Sequence, residues 1–188
     1  MKKYVLTGGP SSGKTSIINA LKNEGYKTVS ESARVVLRYE RMKKGGITRD
    51  LEATVVRQHR ICERQLKKEG RLANLNNNGE IVFLDRGFHD SIAYSRHYLG
   101  DAKVDVYDSA RTMNYDGVFI LDLLPFKKDK ERIEEGAEPE AIHGLIYDVY
   151  KEFGYKPVSV PAMNGSEEEA IRKRLEFILE NVNSLDMK

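Results

Sequence analysis

Residues 4–21 read YVLTGGPSSGKTSIINAL. An apolar run ends at Leu6, and two adjacent glycines, a proline, two serines and a third glycine soon follow. Glycine and proline at this density ordinarily mark a turn. Here Lys14 and Thr15 come next, and Ile17, Ile18 and Leu21 then fall at helical spacing. Residues 8–15, GGPSSGKT, satisfy G-x-x-x-x-G-K-[ST] between an expected strand and an expected helix, the context that pattern requires. Glycines let the backbone curl so that several N–H groups point at one anion. The helix behind them adds its positive N-terminal end. Lys14 supplies a cation for β- and γ-phosphates, and the Thr15 hydroxyl suits Mg²⁺. A structural turn needs the glycines but has no use for Lys14-Thr15. The stretch reads as a phosphate cradle formed by Gly8, Gly9, Pro10, Ser11, Ser12, Gly13, Lys14, Thr15 and Ser16.

A second segment agrees. IVFLDRG, residues 81–87, is an apolar run ending in Asp85, the form of a strand that presents a magnesium-orienting carboxylate. Thr15 and Asp85 are therefore the candidate metal ligands. The chain has 188 residues, enough for a sizeable core, and is read as a single domain. Charged residues make up 32% of it and the signs nearly cancel at +2, so no nucleic-acid partner is expected. No apolar stretch approaches the roughly 20 residues of a membrane span, and a cytoplasmic location is expected. Cys62 is the only cysteine, which excludes an internal disulfide and a thiolate zinc cluster. Val55, His59, Cys62 and Leu66 are expected to share one packed helical face.

Short apolar runs at 2–7, 26–30, 80–85, 115–122 and 156–160 read as strands, without the alternation of a half-exposed sheet. Helical patterns lie between them near 14–23, 33–42, 50–69, 88–98, 103–112 and 139–153. Pro139 suits a first helical turn, and Gly154 falls just past that helix. A last helix starts at Ser166 with Glu169 completing a capping box. This alternation predicts a three-layer α/β domain with a parallel sheet, and the small P-loop kinases that these motifs resemble imply five strands in the order 2-3-1-4-5.

No Asn/Thr-Lys-x-Asp stretch is present to read guanine, and no L-S-G-G-Q of a transporter ATPase. TVSESARVV (28–36) places Glu31 past the second strand, LDRGFHDS spans 84–91, LPFKKDKERIEEG spans 124–136, and SVPAMNGSEEEAIRKRLEFI spans 159–178. In this order the segments resemble deoxynucleoside and thymidylate kinases. Over nearly the whole chain they are similar to the NadR-like AAA-type ATPase/kinase family of small P-loop proteins.

The resemblance implies ATP and Mg²⁺ as cofactors, and a nucleoside triphosphate and a small-molecule acceptor as partners. Glu31 would face the phosphoryl acceptor; its bland alternative is a helix cap. Arg34, Arg57, Gln58 and Arg86 are candidates for substrate contact. Arg86 is also a candidate catalytic residue, as are Lys14, Glu31 and Asp85. Residues 125–137 would form a basic lid with Lys127, Lys128, Lys130 and the candidate catalytic Arg132. Pro161 and Ala162 would hold the adenine. His89, His97 and His143 are expected to pack. The rival readings are an ATPase or GTPase switch and a nucleotide-sensing module.

Overall fold

The last four residues of β1 (Lys2–Thr7) are buried, as a strand paired on both sides and covered on both faces requires. In this computed structural model, which describes residues 1–48, 50–73, 79–100, 107–124 and 137–186, β1 pairs in parallel with β3 (Ile81–Asp85) and β4 (Gly117–Leu121). The strands β2 (Lys27–Val29) and β5 (Val158–Val160) form the edges. Among the described residues the sheet has five strands in the order β2-β3-β1-β4-β5, as the resemblance implies. All strands run the same way, so their C-terminal ends share one rim. The loops leaving that rim carry the candidate residues.

Alternate residues of β1 face opposite layers. Tyr4 and Leu6 join Ile17 and Leu21 of α1 (Lys14–Asn23) and Ile178 of α7 (Glu167–Asp186). Val5 packs instead with Phe88 and Ile92 of α4 (Phe88–Leu99) and Ile146 of α6 (Glu138–Glu152). The remaining helices are α2 (Ser32–Lys44), α3 (Leu51–Ala73) and the short α5 (Tyr107–Arg111). The α7 capping box forms: Glu169 N–H donates to Ser166 Oγ at 3.2 Å, and Ser166 N–H to Glu169 Oε2 at 3.0 Å. Among the described residues no helix is long and apolar enough to cross a membrane.

The edge strands are shorter than the apolar runs suggest. Pro157 has no N–H to give a ladder. Tyr26 N–H closes the end of α1 on Leu21 O at 3.0 Å, and its ring meets Phe83 edge-on at 5.4 Å. The face of α3 also differs. Cys62 is buried as expected, and burial pushes its thiol up to about 11. His59 and Leu66 are exposed, while Thr54, Arg57, Gln58, Gln65 and Glu69 are buried. Val55 also packs on the core, so the apolar stripe predicts only part of the face; α3 turns polar residues inward beside it, and each buried polar group then needs a partner.

His89 is fully buried in a box of Phe153, Tyr150, Tyr155 and Tyr115, with ring centroids 4.5–5.6 Å away. Neither ring nitrogen has a hydrogen-bond partner among the described residues. Burial pushes its pKa down to about 4, only partly opposed by Asp90. Below about pH 6.5 the unfolded chain binds a proton that the folded one refuses, so stability falls as pH drops towards 4. The loss approaches about 3 kcal/mol, and none occurs above that window. His89→Phe keeps the aromatic packing without the nitrogens. Its urea midpoint should fall less steeply between pH 6.5 and 4 than that of the unaltered chain; parallel curves would refute this cause.

Candidate active site

The phosphate loop is shaped at both ends by backbone that only glycine adopts readily. Gly8 has φ 138, and a Cβ there would lie 2.5 Å from Leu121 O of the adjacent strand. Gly13 has φ 80 and opens α1. Lys14 does not point into solvent. Its amine donates to Gly8 O and Gly9 O, each at 2.8 Å, and to Ser12 Oγ at 2.9 Å. Burial, reinforced by Arg86, pushes that amine down to about 7. The inward-facing carbonyls take the cation because a buried ammonium without acceptors would be far costlier. His143, expected only to pack, accepts the Gly9 N–H on Nδ1 at 3.2 Å.

Arg86 follows Asp85 at the end of β3 and sits in the left-handed region at φ 68, a strain of order 1–3 kcal/mol for a residue with a Cβ. Its side chain holds it there. Nε donates to Glu31 Oε1 at 2.8 Å, Nη1 to Gly8 O at 3.1 Å and Asp90 Oδ1 at 2.9 Å, and Nη2 to Tyr94 OH at 2.9 Å. Four of its five N–H donors are thereby engaged. Glu31 makes no side-chain cap bond to α2, so its bland alternative fails. Burial pushes the Glu31 carboxyl up, but Arg86 and then Lys14 outweigh that and hold it below its ordinary value.

A cavity of about 320 Å³ opens beside the loop, walled by residues 10–16, α2 as far as Arg41, the middle of α3, and α4. Glu31, Arg34, Arg57, Gln58 and Arg86 all line it. Arg34 Nη2 donates to Thr15 Oγ1 at 3.3 Å, and its Nε lies 3.7 Å from Glu31 Oε2. Arg57 is locked against the wall by Glu40 at 2.8 Å and also donates to Thr48 O. Gln58 is buried, and its Oε1 has no partner among the described residues.

Asp85 is absent from that wall and lies beside Leu6 in the β1–β3 register. Burial first, and then Glu31, push its carboxyl up to about 6. A cation would relieve this crowding of like charge, so Asp85 and the Thr15 hydroxyl fit a magnesium site. Among the described residues no group of three or more His, Cys, Asp or Glu could hold a metal. Pro161 and Ala162 are exposed just past β5. Lys127, Lys128, Lys130, Arg132 and all of the expected lid but Ala137 lie outside the described residues.

Two residues that the sequence does not single out organise the site. Asp90 accepts from Arg86, Thr7 Oγ1, Gly87 N–H at 3.1 Å and Tyr150 OH at 2.8 Å. Among the described residues, Arg174 of α7 donates its guanidinium to backbone carbonyls: Ser12 O at 2.7 Å, Pro161 O at 2.8 Å, Asp122 O at 2.9 Å and Val160 O at 3.5 Å. The i,i+4 spacing of Arg86 and Asp90 was a readable signal. Arg174 had none, standing beside Arg172 and Lys173 in an ordinary charged run.

The fold resembles solved kinases. The deoxyadenosine kinase from M. mycoides with bound dATP is 18% identical at TM-score 0.69, covering 97% of this chain and 100% of that one. The thymidylate kinase from Ehrlichia chaffeensis is 14% identical at TM-score 0.65, covering 96% and 98%. The NadR protein in complex with NR is 20% identical at TM-score 0.72, covering 98% of this chain but 50% of that one. Among curated proteins none matches. The model of an AAA-domain family matches residues 3–170. That match takes in the phosphate loop, Glu31, the cavity wall and Asp85, and the chain belongs to this AAA-domain family.

Proposed function

We propose that the chain, acting as one domain over residues 1–188, transfers the γ-phosphoryl group of ATP to a small hydroxyl- or phosphate-bearing acceptor held in the cavity. The observation that carries this reading is the cavity itself, with Glu31 on its wall and an unpartnered amide oxygen at Gln58. A plain NTPase has to place only a water there.

The phosphates replace the carbonyl and hydroxyl oxygens that Lys14 now holds, and the N-terminal end of α1 faces them. Mg²⁺, when bound at Thr15 and Asp85, would neutralise charge on the β- and γ-oxygens. Arg86 acts as a positioning residue, since its donors are spent on Glu31, Gly8, Asp90 and Tyr94. Glu31 is ionised at neutral pH, so it orients the acceptor hydroxyl and takes its proton late, which a loose transition state permits. Arg34 bridges the acceptor carboxylate and the metal-side hydroxyl. Pro161 and Ala162 would flank the adenine, and Arg132 would bring charge from the lid.

The test is ATP consumption against a panel of small hydroxyl compounds. A sharp rise with one metabolite supports the kinase; a rise with proteins alone, or tight binding without turnover, overturns it. Asp85→Asn should raise the Mg²⁺ needed for half-maximal rate by roughly 10-fold or more. Only the ionised carboxyl holds the cation well, so the native Mg²⁺ requirement should also fall as pH rises through about 6. An unchanged Mg²⁺ titration in Asp85→Asn removes that residue from the metal site.

A further inference from the structure

The entry limb of the phosphate loop rests on α6 at Gly9. A Cβ there would lie 2.6 Å from Pro139 O, 2.9 Å from Leu123 Cδ2 and 3.0 Å from His143 Cβ, so loop and helix touch with nothing between them. Pro139 and His143 stand at i and i+4 and therefore share one face of the helix. Gly9 is buried, and a buried N–H needs an acceptor. His143 Nδ1 supplies it at 3.2 Å. The imidazole keeps a lone pair for that bond at neutral pH. Burial lowers its pKa, Asp122 opposes this only in part, and Lys14 reinforces it. Pro10, the next residue, has no N–H that could take the place of the Gly9 donor.

Gly9 is tied on its other side as well, because its carbonyl accepts the Lys14 amine at 2.8 Å. The two ties have different fates when a nucleotide arrives. The phosphates draw Lys14 off Gly9 O, whereas His143 stands outside the cavity wall and keeps its bond. We propose that His143 is a positioning residue for nucleotide binding, whose Nδ1 holds the Gly9 peptide from behind once Lys14 has turned to the phosphates. This rests on the kinase reading above, in taking the loop as the nucleotide site. Lys14 shares the hold on Gly9 in the free protein and gives it up in the complex, so His143 matters more when the nucleotide is bound. Loss of its acceptor should therefore weaken nucleotide binding more than it weakens the fold. A loop that spends part of its time out of shape binds more weakly by that fraction.

The experiment titrates AMP-PNP with Mg²⁺ into the native chain, His143→Asn and His143→Leu at neutral pH, read by calorimetry. Asparagine and leucine have the same branched skeleton, but only asparagine sets an acceptor oxygen where Nδ1 stood. His143→Leu leaves the Gly9 N–H without a partner and should bind the analogue at least about 10-fold more weakly. His143→Asn restores the bond and should stay within about 3-fold of the native affinity. Native-like binding by His143→Leu overturns the assignment and leaves the kinase reading standing. An affinity of His143→Asn about 10-fold or more below the native value also overturns it, and this arm decides alone should the leucine variant not fold. Failure of AMP-PNP to bind the native chain overturns the nucleotide site and the inference with it.

Discussion

Glu31→Gln should lower phosphoryl transfer by roughly 10²–10⁴ while leaving the affinity for an ATP analogue within about 3-fold. The side chain keeps its shape, and its remaining oxygen can still accept the Arg86 N–H that Glu31 Oε1 now accepts. The lost function is proton acceptance from an attacking hydroxyl. The two arginines beside it sharpen the expectation. Arg86 holds one carboxylate oxygen, and Arg34 stands 3.7 Å from the other, so the carboxylate is oriented before any acceptor arrives. Such preorganisation is where a single carboxylate earns a large factor. Transfer rate and analogue affinity are to be measured on one preparation. An unchanged rate removes Glu31 from the chemistry; a collapse of both quantities assigns it to the metal and favours a plain NTPase.

Lys14→Ala is expected to remove at least about 100-fold of turnover, the scale of one lost transition-state donor. The fold should survive at a modest cost. The Lys14 side chain lines the cavity, so water can enter the space it leaves, and Gly8 O keeps its bond from Arg86 Nη1 at 3.1 Å. A loss of about 1 kcal/mol corresponds to about 2–4 °C in Tm for a chain of this size. Near-normal phosphate release would sink the enzyme reading. Scanning calorimetry of the same variant separates lost chemistry from lost structure.

The parts of this protein that were legible in its sequence are those whose chemistry is local. Glycines, Lys14 and Thr15 within eight residues announce an anion cradle, and Tyr4–Leu6 of β1 and Ile81–Leu84 of β3 are apolar because the sheet centre is dry on both faces. The ends of the edge strands β2 and β5 were not legible, because pairing depends on neighbours that periodicity does not contain. Tyr26 and Pro157 lie in apolar runs yet outside the ladder for reasons of hydrogen bonding. The polar face of α3 was misread for a related reason. Apolar periodicity assumes that buried means apolar, whereas Gln65 is buried because it donates to Glu69 and to Arg86 O and accepts from Ser32. Asp90 meets Thr7 across 83 positions of sequence, and no local pattern encodes such a meeting.

The bond from Arg174 to Ser12 O closes 162 positions of chain, and its consequence is one of timing. During synthesis the phosphate loop emerges well before α7, which brings the Arg174 guanidinium to Ser12 O after the five described strands have been made. Long closures of this kind are slow to form because chain entropy opposes them until the intervening structure is in place. The sheet can therefore assemble before Ser12 O gains this partner, and the hold on that end of the loop is completed only when α7 docks. A nucleotide that prefers the loop so held favours the docked state by mass action. The ligand would then act twice in the life of the molecule, first as the agent that completes its assembly and only afterwards as the donor it consumes.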